Sequence, residues 1–115
     1  DADNGAELWK YDGVNTPMMV ADINTGANGS SPSFLKVFGN AIYFSAEDGV
    51  NGYELWKYTG SGSPTLVSDI LSGSLGSAPT NLIVLNDKLY FAADDGTNGT
   101  ELWKYDGTNA PTMVA

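Results

Sequence analysis

The stretch ELWKYDG at residues 7–13 returns as ELWKYTG at 54–60 and as ELWKYDG at 101–107, at a constant period, since 54 − 7 = 47 and 101 − 54 = 47. Laid without a gap over 48–94, residues 1–47 are identical at roughly half of the positions, and the matches run through the whole unit: Gly5 on Gly52, Pro17 on Pro64, Asp22 on Asp69, Pro32 on Pro79, Tyr43 and Phe44 on Tyr90 and Phe91. A gapless match restricts the fold to architectures built of stacked equal units, where an insertion would have to be absorbed by every neighbour. The chain holds two full units and the first 21 residues of a third, because 115 = 2 × 47 + 21.

Within a unit, SFLKVFG (33–39), NAIYFSAE (40–47), YELWKYTG (53–60) and SPTLVSDI (63–70) are short runs rich in aromatic and β-branched residues, fenced by Gly, Asn, Asp or Pro. Four strands per unit follow, and nothing has helical spacing. Gly39-Asn40 and Asn86-Asp87 suit two-residue hairpins, while DGVNG (48–52) and DGTNG (95–99) turn the second run into the third. The Gly/Ser-rich segments 23–32 and 70–79, each closed by Pro, read as crossovers between units. The expected fold is therefore all-β: tandem four-stranded antiparallel blades in a β-propeller-like segment of about two and a half blades. Residues 1–31 supply the third and fourth strands of a half blade plus a crossover loop, 32–78 a complete blade plus a crossover loop, and 79–115 a second complete blade.

Alternation along a strand sends Leu8 to one face and Glu7, Trp9 and Tyr11 to the other. A blade covered on both faces needs apolar surface on both, so Leu8, Trp9, Leu55, Trp56, Leu102, Trp103, Tyr43, Phe44, Tyr90 and Phe91 are the expected repeat core, with the Trp as the inter-blade packing group. A sugar-stacking platform is the other reading of the Trp.

ELWKYDG, then P-x-x-V-x-D-I, a Gly/Ser-rich loop, Y-F-x-A and D-G-x-N-G-x-E-L-W together resemble the ELWxxDGT repeat family of bacterial proteins, over the whole chain. The motif is complete in Glu101, Leu102, Trp103, Asp106, Gly107 and Thr108; Thr59 and Ser61 replace the Asp and Thr in the middle copy, and Val14 replaces the Thr in the first. The resemblance implies β-propeller-like domains in large exported or surface polypeptides, hence an extracellular or cell-surface setting, and no catalytic residues. An Asp missing from one copy points to a turn-forming role.

The acidic turns are the remaining candidates for chemistry. Asp48, Asn51 and Glu54, with Asp95, Asn98 and Glu101, gather oxygen ligands of the class Ca²⁺ selects, although the Gly offset is not that of an EF-hand and Asp/Asn-Gly pairs are turn formers in any case. Turn chemistry is the favoured reading and no other cofactor is implied. Paired carboxylates also suit glycoside hydrolysis, but here they recur in each unit whereas an active site is normally unique. With 14 Asp and Glu against 5 Lys, no His and a formal charge of −9, nucleic acid is a poor partner. No run approaches the roughly 18 apolar residues of a membrane span. The opening DADNGAE is neither basic nor apolar, so an export signal is expected upstream or already removed. Asn28-Gly29-Ser30 and Asn98-Gly99-Thr100 match the N-glycosylation pattern, silent in a bacterial setting.

Two functions are expected from this reading: a non-catalytic binding or scaffolding module that presents its loops to a glycan or protein, or a structural protein that self-assembles into a fibre or surface layer. In both, the partners are other copies or flanking repeats of a longer chain, because the half blade lacks its first two strands and end-to-end copies restore no whole-blade ring.

Overall fold

The computed structural model describes residues 5–25, 28–71, 73 and 75–114, and among these the fold is all-β, with ten strands and no helix. They are β1 (Leu8–Lys10), β2 (Met18–Ala21), β3 (Ser33–Phe38), β4 (Ala41–Glu47), β5 (Tyr53–Tyr58), β6 (Thr65–Ser68), β7 (Thr80–Leu85), β8 (Lys88–Asp94), β9 (Thr100–Tyr105) and β10 (Thr112–Met113). They form three antiparallel sheets: β1-β2, β3-β4-β5-β6 and β7-β8-β9-β10. Sequence neighbours are sheet neighbours throughout, so each sheet is a simple meander.

Local chemistry sets the turns. Asn86 and Asp87 both take positive φ (50° and 60°), as a type I′ turn demands, between the paired Leu85 and Lys88. The matching turn pairs Phe38 with Ala41 and places Gly39 at φ 61°. One period apart, Phe34 and Asn81 carry the positive φ of a bulge in the first strand of each four-stranded sheet.

The three sheets pack in series, and two cores lie between them. Leu8, Phe44, Ala46 and Tyr58 join the first sheet to the second, with Val20, Ile23, Ile42 and Trp56 at the rim. Ala41, Tyr43, Leu55, Leu82, Leu89, Phe91, Ala93 and Tyr105 join the second to the third, with Phe38, Val67, Ile70 and Trp103 at the rim. The second sheet is apolar on both faces because it is covered on both: in β4, Tyr43 faces the third sheet while Phe44 faces the first, and all seven of its residues are buried or half-buried. Phe44 and Phe91 have no more than 1 % of their surface exposed, and full burial of such a side chain is worth about 1.5–3 kcal/mol.

The expected repeat core is thus complete only where a neighbouring sheet covers it. Leu8, Leu55, Tyr43, Phe44 and Phe91 are buried, and Tyr90 is half-buried. Trp56 and Trp103 are half-buried at the rims, each with an indole N–H that is buried and has no acceptor among the described residues. Trp9 and Leu102 are exposed, because they lie on the two end faces of the series. Leu, Phe and Tyr rather than Trp make the centre. We predict that Trp56→Ala lowers the melting temperature by several degrees and by more than Trp9→Ala; equal, mild effects in thermal melts would refute the rim placement of Trp56.

Candidate functional site

The acidic residues divide into two sets by the work they do. In the first set, the Glu of the first two ELW motifs turns toward the crossover that follows. Glu54 is fully buried and accepts hydrogen bonds from the N–H groups of Ile70 (3.2 Å), Leu71 (3.1 Å) and Ser77 (3.0 Å), and from the Ser77 hydroxyl. Glu7 repeats this one period earlier with Ile23 (3.1 Å), Asn24 (3.3 Å), Ser30 (2.9 Å) and the Ser30 hydroxyl. Each carboxylate therefore staples its crossover at both ends. Glu101, the third copy, is half-buried with no crossover over it among the described residues.

The stapled Ser also reaches forward. Ser30 accepts from the Glu47 N–H at the end of β4 (3.0 Å), and Ser77 from the Asp94 N–H at the end of β8 (2.9 Å). Ser31 and Ala78 donate back to the carbonyls of Ala6 and Tyr53 (2.9 Å each). The preceding Gly29 and Gly76 run so close to the earlier sheet that a Cβ would stand 2.3 Å from the Ala6 and Tyr53 nitrogens, at positive φ. Only glycine fits there. Asp22, at the start of the crossover, lies beside Glu7 with a buried oxygen that has no partner among the described residues, and burial followed by the Glu7 charge raises its carboxyl.

In the second set, Asp-x-x-Asn turns recur at 12–15, 48–51, 95–98 and 106–109. One Asp oxygen accepts two successive backbone N–H groups and the other accepts the Asn amide, all within 2.7–2.9 Å. The N–H groups of Asn109 and Thr108 hold the Asp106 carboxyl down at about 2, and those of Asn98 and Thr97 lower Asp95. At Asp48 burial pushes upward, but Asn51 and Val50 outweigh it. In the middle copy, TGSG at 59–62 has no Asp to make this cap.

The six residues considered for calcium are split between these two sets. Asp48 and Asn51, like Asp95 and Asn98, bond to each other across their turns, whereas Glu54 is enclosed by the crossover and Glu101 sits half-buried on β9. Among the described residues no group of three or more acidic side chains lies close enough to hold a metal ion. We predict that EDTA leaves the melting temperature unchanged. A native-state calcium ion at a hundredfold excess over its dissociation constant would add about 2.7 kcal/mol, so a melt lowered by about 10 °C in EDTA and restored by Ca²⁺ would reverse this reading.

Glu54 and Asp106 oppose each other with pH. Burial raises the Glu54 carboxyl above its ordinary 4.5, against the pull of the Ser77 hydroxyl and the Leu71, Ile70 and Ser77 N–H groups. A group raised in the folded state contributes fully below its unfolded value and loses that contribution as pH climbs through the folded one. Asp106, held low, contributes above its ordinary 3.8 and loses that as pH falls through about 2. We predict a higher melting temperature at about pH 4.5, the ordinary value of the Glu54 carboxyl, than at about pH 8, with Glu54→Gln narrowing the difference; a melting temperature that climbs steadily to pH 8 would contradict it.

The concave surface repeats as well. A hollow of about 440 Å³ is lined by Lys10, Tyr11, Asp12, Asn15, Thr16 and Met18, and one of about 270 Å³ by Lys88, Lys104, Asp106, Asn109, Ala110 and Thr112. Both flank the Asp-x-x-Asn turn between the last two strands of a unit. The sequence singled out that Asp but not the hollow, whose lining includes Thr16 and Met18 from the far side of the turn. No family model, curated protein or solved structure matches this chain.

Proposed function

We propose that the chain is a non-catalytic β-propeller-like repeat module of an extracellular or surface protein, acting in scaffolding and binding, with its three sheets as a half blade and two whole blades. The observation that carries this reading is the use of the repeated carboxylates: Glu7 and Glu54 take up crossover N–H groups, and Asp12, Asp48, Asp95 and Asp106 cap turns. Groups used alike in successive units serve architecture, whereas a reaction needs one unequal pair. The extracellular setting rests on the resemblance to the ELWxxDGT repeats.

Binding in this reading falls to the two hollows beside the Asp-x-x-Asn turns, whose polar side chains suit a neutral glycan or a protein loop. No metal is required. The test joins two assays on one preparation: turnover of a panel of glycosides, esters and peptides, and binding to an array of oligosaccharides and surface proteins. The expected result is no turnover, with binding weakened by Thr16→Ala or Lys88→Ala, one in each hollow, at unchanged melting temperature. Turnover abolished by a conservative carboxylate change that leaves the melt intact would overturn the proposal. The self-assembling reading has its own support in the open end faces.

A further inference from the structure

The same residue, one period apart, reports which faces of the series are covered. Leu8 and Leu55 are 7 % and 0 % exposed, but Leu102 is 46 % exposed. Tyr58 and Tyr105 are 7 % and 6 % exposed, but Tyr11 is 63 % exposed. The Leu side of each sheet meets the Trp/Tyr side of the next: Leu8 packs with Tyr58 and Trp56 in one core, Leu55 with Tyr105 and Trp103 in the other. Within these 115 residues the third sheet therefore leaves its Leu side open and the first sheet its Trp/Tyr side. The open Leu side is whole, and the open Trp/Tyr side carries the Trp and Tyr of that interface on two strands, without a counterpart of Phe44 or Phe91.

We propose that a second copy of this chain docks end to end, placing the Trp9 and Tyr11 side of its first sheet on the Leu102 side of the third sheet of its neighbour. The proposal rests on the stacked-sheet reading and names its partner. The period places the partners of two cross-sheet contacts at the new joint. Lys10 Nζ donates to the Tyr58 hydroxyl across the first joint (3.4 Å), and Lys104 stands in the same relation to Tyr11 of the next copy. Tyr43 meets Tyr105 across the second joint with ring centroids 5.7 Å apart, and Tyr90 is placed to meet that same Tyr11. The contact is heterologous, so it extends into a line rather than stopping at a two-fold dimer. It is also apolar between chains of charge −9, so screening favours it.

Sedimentation or light scattering on the 115-residue chain tests this, with Leu102→Lys and Trp9→Lys as variants that each block one side; Ile83→Lys and Tyr11→Lys are second choices should either fail to give a native near-UV spectrum. The expected result is a weight-average mass that rises with concentration to at least twice that of the monomer, and rises further with salt. Each variant alone should be monomeric, and an equimolar mixture should give a 1:1 dimer, because one open side survives on each partner. A wild-type monomer with a native melt at every concentration would overturn the docking and leave the scaffold reading standing. Self-association of either variant alone, or a mixture that stays monomeric, would overturn it as well, since the first requires a like-to-like contact and the second no contact at all.

Discussion

Glu54→Ala should unfold the chain about 15–30 °C below the wild type, the largest effect expected of any single carboxylate. The carboxylate satisfies three backbone N–H groups and one hydroxyl at a position with no exposed surface. Its loss leaves Ile70, Leu71 and Ser77 with donors turned toward an empty space. Each unsatisfied buried donor costs about 1–3 kcal/mol. Water entering the vacated space recovers part of that, so about 3–5 kcal/mol in total is expected, and a domain of this size shifts by about 4–8 °C per kcal/mol. Glu54→Gln keeps one acceptor but sets an amide NH₂ against a donor, and should fall between Ala and wild type. Ser77→Ala removes one donor with its acceptor's alternative partners intact, and should cost only about 1 kcal/mol. A Glu54→Ala chain that melts within about 2 °C of the wild type would show that the crossover is held by something else.

The second large effect is a contrast between two copies of one residue. Leu55→Ala deletes a side chain with no exposed surface in the core between the second and third sheets, and buried Leu→Ala changes cost about 2–5 kcal/mol. Leu102→Ala removes the same atoms from the open side of the third sheet, and should cost under about 1 kcal/mol at dilutions where copies do not meet. The pair is a controlled comparison, because chemistry, strand position and local sequence are shared. Denaturant titrations measure both, and equal losses would mean that the third sheet is covered on its Leu side within the single chain.

Most of the fold could be read from the 47-residue period and the aromatic, β-branched runs between turn residues. Runs such as NAIYFSAE and LYFAAD carry apolar residues at consecutive positions, which is what strands covered on both faces require, so their location follows from local chemistry alone. The role of Glu54 did not follow. Alternation places it on the Trp side, but its partners are 16 to 23 residues away in a Gly/Ser-rich segment, and their approach depends on how the crossover returns over the sheet. A signal was present: Ser30 and Ser77 recur at one phase within that segment, each preceded by a recurring Gly. The rim position of Trp56 and Trp103 was also hidden, because size and hydrophobicity suggest the centre of a core while the centre is filled by Phe44 and Phe91 from the neighbouring strand.

The backbone of Ser77 belongs to two sheets at once. Its N–H is held by Glu54 of the second sheet and its carbonyl by the Asp94 N–H of the third, as Ser30 is held by Glu7 and Glu47. Opening either sheet therefore strands a polar group in the other. Such an arrangement turns a row of units into a one-dimensional lattice with a nearest-neighbour term, of about 1–3 kcal/mol for each broken link, so that a unit which frays destabilises the one beside it. Amide exchange would then report the second and third sheets opening as one cooperative body, with the Ser30 and Ser77 amides among the last protons to leave.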